Sequence, residues 1–168
     1  MLEQTTKSRP GSSARPGPNM LVHQRSASAE PVINVTLIDK MGSGDSNELP
    51  KLGMGMDGDM AMAKMGINAN PKSVRRGPVT FKVTNLASRI IHEVIVAKLP
   101  EGLDKLPYDE EAMAVKDNAL QDLGSVKEIE PSRSAALTLT LKPGKYMLYC
   151  NLPGHYMAGM WTVVEVAP

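Results

Sequence analysis

The chain has 168 residues, 42% of them apolar, and a formal net charge of +1, enough for one domain with a core plus tails or insertions. Near-balanced charge excludes nucleic acid as a main partner, because phosphate binding needs clustered Lys and Arg in excess. No apolar run is long enough to span a bilayer, and the first residues lack the charged-then-apolar pattern of a signal peptide.

Residues 1–30 are rich in Ser, Arg, Pro and Gly, with Arg9-Pro10-Gly11 and Arg15-Pro16-Gly17-Pro18, and are expected to form a disordered arm. The domain is expected over residues 31–168. Pro31-Val-Ile-Asn-Val-Thr-Leu-Ile38 is the first strand signal, being rich in β-branched residues. Residues 40–77 read as a long insertion with one short helical turn, covering one end of a sheet. Within it, Met54, Met56, Met60, Met62 and Met65 place five methionines in twelve residues. Such a stretch serves as adaptable packing or, by ligand softness, captures Cu(I) through Met54, Met56, Met60 and Met62.

Pro78-Val-Thr-Phe-Lys-Val-Thr84 alternates as a strand, Asn85 to Ser88 turns, and Ile90 to Ala97 is the next strand. Side chains alternate with period two, so His92 shares a side with Val94 and Val96 and faces an apolar interior. Residues 101–130 carry nine acids against Lys105, Lys116 and Lys127, a local net of −6 that reads as a solvated face or as a docking surface for a cationic partner. Over residues 107–124, Asp109 as cap, Glu110 and Glu111 in the first turn and Ala112, Val115, Ala119 and Leu123 on one side predict a helix ending at Gly124. Strands resume over 126–130, 135–141, 145–150 and 161–166. Short strands at this spacing predict an all-β, antiparallel β-sandwich, with aliphatic residues building the core since Phe and Trp occur once each.

The last strands enclose Cys150-Asn-Leu-Pro-Gly-His155-Tyr-Met-Ala-Gly-Met160, which holds the only cysteine of the chain. One cysteine forms no internal disulfide. A thiolate, two imidazoles and a weak axial thioether serve both Cu(I) and Cu(II), so little rearrangement accompanies a one-electron change; thioether ligation also favours copper over zinc. Leu152-Pro153-Gly154-His155 fits a type II turn that folds His155 back toward Cys150. Gly159 permits a second bend before Met160; an extended chain would carry that methionine about 30 Å from the cysteine. Three histidines are present. Ordering an arm to bring in His23 would cost conformational entropy for one bond, which leaves His92. The expected metal ligands are therefore His92, Cys150, His155 and Met160, with Met157 as a competing thioether too close to His155 to curl over the same ion.

Thr84-Asn85 ahead of His92-Glu93, followed by Tyr146-x-Leu148-x-Cys150-x-x-Pro153-Gly154-His155-Tyr156-x-x-Gly159-Met160-Trp161, resembles the cupredoxin family, nearest the plastocyanin/azurin and rusticyanin-like type 1 copper proteins. The resemblance covers residues 31–166. It implies a Greek-key β-sandwich, one type 1 (blue) copper per chain on those four residues, electron transfer without substrate chemistry, and a periplasmic or otherwise extracytoplasmic address. It also implies hydrogen bonds from Asn85 or the residue after the first histidine that tune the site. Many relatives have a neutral polar residue after that histidine, whereas Glu93 stands here; strand alternation points it away from the metal. The expected partners are redox proteins such as a c-type cytochrome or a terminal oxidase, met by a monomer. They would dock on an apolar surface of Leu152, Pro153, Tyr156 and Met157 around an exposed His155, the electron's exit. The alternative function is that of a periplasmic copper chaperone or resistance protein using the methionine segment. A multicopper oxidase or nitrite reductase would need further histidine pairs, and a binuclear centre a second cysteine.

Overall fold

Strand alternation and two cross-sheet clusters determine where the metal-ligand loop sits. The computed structural model describes residues 29–40 and 51–168. The arm expected over 1–30, His23 included, and the insertion residues 41–50 lie outside them, apart from Ala29 and Glu30. Eleven strands follow in chain order: β1 Val32–Asp39, β2 Met65–Asn70, β3 Ser73–Arg75, β4 Gly77–Asn85, β5 His92–Lys98, β6 Tyr108–Asp109, β7 Ala114–Val115, β8 Gln121–Ile129, β9 Ser134–Leu141, β10 Gly144–Tyr149 and β11 Trp161–Ala167. One sheet has the order β2-β1-β4-β9 and the other β3-β11-β10-β5-β8, while β6 and β7 pair as a separate ribbon. The all-β sandwich is as expected, but its sheets are mixed. β1 runs parallel to β4, and β3 parallel to β11. The connection from β1 to β4 is long enough to permit the parallel return that a hairpin forbids.

Two local expectations give way. Residues 65–75 belong to the sheets rather than to a bare insertion: Ile67 and Ala69 are buried while Asn68 and Asn70 are exposed, an alternation hidden from composition by its small and polar residues. Among the described residues of this segment, a short helical turn forms as a 3-10 turn at Met60–Met62, capped by Asp59. No helix forms over 107–124. Asp109 Oδ1 does accept from the Glu111 and Ala112 N–H groups at 3.0 Å, as a cap would, but Met113 takes a φ of 51° and the chain turns into β7. Gly124 lies mid-strand in β8, where a Cβ would come within 3.1 Å of Leu139. Asx turns and helix caps share the same local chemistry; here sheet pairing and the burial of Val115 and Leu120 decide between them.

The inner faces form one cluster that includes Ile33, Val35, Leu37, Val79, Phe81, Val94, Val96, Tyr146, Leu148, Cys150 and Met160. Full burial of aliphatic side chains of this kind stabilises by about 1.5–3 kcal/mol each. A second cluster, with Ile95, Ala97, Leu106, Val115, Met147, Tyr149, Tyr156 and Met157, covers the other face of β5 and β10. That is why both strands are buried on both sides. The segment from Met54 and the chain between Leu99 and Leu120 supply its outer layer.

Candidate metal centre

Each candidate ligand is delivered by a separate piece of backbone. His92 opens β5 and lies on the inner-cluster side with Val94 and Val96, as alternation predicts. Asn85 fixes the turn that precedes it: its Nδ2 donates to the Ile90 and Ile129 carbonyls at 2.8 Å, and its Oδ1 accepts from the Ala87 N–H at 2.9 Å. These bonds go to backbone, so Asn85 positions the chain entering β5.

Cys150 follows β10, and its N–H donates to the Met160 carbonyl at 3.0 Å, closing the loop at its base. Within the loop the His155 N–H donates to the Leu152 carbonyl at 3.0 Å and Gly154 has a φ of 80°. Those are the closing bond and third-position dihedral of the type II turn expected of Leu-Pro-Gly-His. The Met160 N–H returns to the His155 carbonyl at 3.1 Å. His155 is thereby folded over Cys150.

The result is a cluster of His92, Cys150 and His155 whose ligand atoms lie within 4.8 Å of one another. The two Nδ1 atoms are 3.2 Å apart, and Cys150 Sγ is 3.4 Å from His155 Nδ1. His92 and Cys150 are fully buried and His155 is half-buried. Burial holds the His92 imidazolium down to about 4, helped by His155 and opposed by Asp39. Burial also lowers His155. It pushes the Cys150 thiol up to about 11, opposed by the backbone N–H groups of Glu93 and Leu152. Two neutral imidazoles and one thiol at contact distance are a donor set that a soft, borderline ion completes, taking the thiol proton's place.

A model of the plastocyanin/azurin family of copper binding proteins matches residues 54–167. The chain belongs to that family. Its cofactor is copper, and the cluster of His92, Cys150 and His155 is suited to a single copper site. Among solved structures, reduced auracyanin from the photosynthetic bacterium Roseiflexus castenholzii is 23% identical, with a TM-score of 0.50 over 84% of this chain and 100% of that one. Rusticyanin from Thiobacillus ferrooxidans is 16% identical, with a TM-score of 0.49 over 83% and 79%. A multicopper oxidase is 13% identical, with a TM-score of 0.49 over 83% of this chain and 45% of its own length. At 23% identity the likeness to the auracyanin is one of fold. Comparison with curated proteins gives no match.

Met160 is fully buried in the inner cluster together with Cys150, whereas Met157 lies in the outer cluster on the other side of the sheet. Long-range hydrogen bonds hold the loop in place. Glu93 is directed away from the inner cluster, as alternation requires, yet it is 8% exposed and its Oε1 accepts from the Asn151 N–H at 3.0 Å. It therefore braces the residue that follows Cys150. Asn151 in turn pairs like a strand residue with Val115, accepting at 2.7 Å and donating at 3.0 Å. Gly154 donates to the Met113 carbonyl at 2.8 Å. From the other direction, the Leu52 N–H donates to the Met157 carbonyl, the Met54 N–H to Tyr156 Oη, and Trp161 Nε1 to the Leu52 carbonyl. The methionine segment is thus the roof of the ligand loop. It buries Tyr156 and Met157, so the apolar surface expected of these two residues is not there. Pro153 is exposed and Leu152 half-buried, as expected, and further exposed apolar side chains near the site are Ile91, next to His92, Leu86, on the turn before it, and Met113, against Gly154.

Proposed function

We propose that the protein carries single electrons between redox proteins, with Met160 as the fourth, axial ligand beside His92, Cys150 and His155. The observation that carries this reading is the preassembled cluster of two histidines and one cysteine in a rigid β frame, which belongs to a copper-binding family. Bound there, copper supplies a one-electron change between Cu(I) and Cu(II), and no substrate chemistry is called for. The chain's own residues hold the ligand atoms close to one another, which keeps rearrangement small when the oxidation state changes. The turn at Leu152–His155 and the Cys150–Met160 backbone bond set the distances. The outer cluster excludes water from the β10 side.

The half-buried His155 is the electron's exit in this reading. Pro153, Leu86, Ile91 and Met113 supply the apolar contact, and the exposed acid Glu111 near Met113 favours a cationic partner, Glu110 being paired with Lys51 at 3.0 Å. A c-type cytochrome or a terminal oxidase outside the cytoplasm fits this description, met by a monomer. Among the described residues no helix is long and apolar enough to cross a membrane. The test is to mix the Cu(II) protein with a reduced c-type cytochrome and follow both spectra. Saturable cytochrome oxidation that slows with added salt is expected; no electron transfer to the copper would overturn the reading. Replacing Met160 with leucine is expected to alter both the reduction potential and the optical spectrum, and an unchanged site would remove Met160 from the ligand set.

A second reading, copper handling, is favoured by the placement of the methionine segment directly on the ligand loop. Leucine substitutions in it are expected to slow copper loading while leaving electron transfer from the loaded protein intact. Unchanged loading would count against that role.

A further inference from the structure

Met157 has no place in the type 1 set, and the methionines at 54–56 are not free packing material. The turn over residues 53–56 closes through the Met56 N–H to the Gly53 carbonyl at 2.9 Å. On one side the Met54 N–H donates to Tyr156 Oη at 2.8 Å. On the other, Gly55 presses on the Asp104 backbone so closely that a Cβ would overlap the carbonyl oxygen at 1.8 Å. Both anchors fix the direction in which Met56 leaves the turn.

Gly53 is where the sulfurs meet. A Cβ on it would lie 2.8 Å from Met56 Sδ and 3.3 Å from Met157 Sδ, with the edge of the Tyr156 ring at 2.6 Å. The absent side chain is therefore what allows two thioethers from distant parts of the chain to converge on one spot. Met54 is packed in the same cluster and is half-buried, as is Met56. Neutral thioethers select a soft monovalent ion over Cu(II), Zn(II) or a hard cation.

We propose that Met56 and Met157, with Met54 as third donor, form a second metal site, selective for Cu(I), on the outer side of the ligand loop. This rests on the copper-handling reading and gives it a location two residues along the chain from His155. Cu(I) held there sits against the segment that must admit it to the type 1 site. The exposed Met60 and Met62 lie outside the site and are not needed for it.

The test is an anaerobic Cu(I) titration of the full chain against a chromophoric Cu(I) chelator, with carbon-13 methyl spectra of the methionines recorded at each point. Two equivalents are expected to bind, one shifting Met160 and the other Met54, Met56 and Met157. The M56L/M157L double variant, close in volume, is expected to bind one equivalent, and M60L/M62L two. Binding of a single equivalent by the unaltered chain would overturn the proposal, as would two equivalents in M56L/M157L or a second equivalent that shifts only Met60 and Met62. The visible band of the Cu(II) form reports separately on the type 1 site, so its absence would refute the electron-carrier reading and leave the thioether count standing on its own.

Discussion

Replacing Gly159 with alanine tests the contact between the methionine segment and the ligand loop. Gly159 has a φ of 103°, and an added Cβ would come 2.8 Å from Ala63 Cβ and 2.9 Å from the Met65 carbonyl oxygen. The dihedral alone costs about 1–2 kcal/mol for a residue with a Cβ. The overlap adds about 1–3 kcal/mol, because a backbone oxygen and a Cβ cannot swing aside as a flexible side-chain end can. The sum is about 2–5 kcal/mol. Gly102 is the control: its φ is 74° and a Cβ there meets nothing within 4 Å, so Gly102→Ala should show the dihedral cost alone. In urea denaturation, at about 1–3 kcal/mol per molar, the Gly159 variant should unfold at a midpoint lower than that of Gly102→Ala by on the order of 1 M. Equal midpoints for the two variants would refute the packing of residues 63–65 against the loop.

Asn151→Ala removes two hydrogen bonds to Val115 and leaves that backbone unpaired, a cost of about 2–3 kcal/mol that should appear in denaturation and broaden the optical band of the copper form. The metal-free protein should be most stable between about pH 6.5 and 9. His92 is held down to about 4 in the fold, so stability is complete above 6.5 and falls as pH drops toward 4. The Cys150 thiol is pushed up to about 11 from 9.0, so stability also falls as pH rises above 9. Tyr156, pushed up to about 12, extends that limb. Cys150→Ala should flatten the fall between pH 9 and 10, and a midpoint curve unchanged by that substitution would contradict the assignment.

Where pattern and spacing carry the signal, the sequence was enough. Strand alternation aimed His92 at the inner cluster, and Leu152-Pro153-Gly154-His155 specified its own turn, so His92, Cys150 and His155 meet in space. What escaped is long-range. The cap chemistry of Asp109 fits an Asx turn as well as a helix, and only the pairing of β6 with β7 and the burial of Val115 separate the two. Strand β2 is illegible because Gly66, Asn68 and Asn70 dilute its apolar alternation, and β3 because three residues with Val74 alone buried carry no pattern. The bracing by Glu93, Asn151 and Tyr156 joins residues 36 to 102 positions apart, and no local signal encodes such a pairing. The methionine segment was legible in composition, but its role as a roof over the loop depends on the fold.

The most direct test of the central claim is the spectrum of the purified protein with one equivalent of Cu(II). An intense thiolate-to-copper band in the visible, with the narrow copper hyperfine splitting of a type 1 site in paramagnetic resonance, is predicted for the unaltered chain, and both should vanish in Cys150→Ser. Weak absorption with a wide hyperfine splitting, or a band that survives the loss of Cys150, would contradict it.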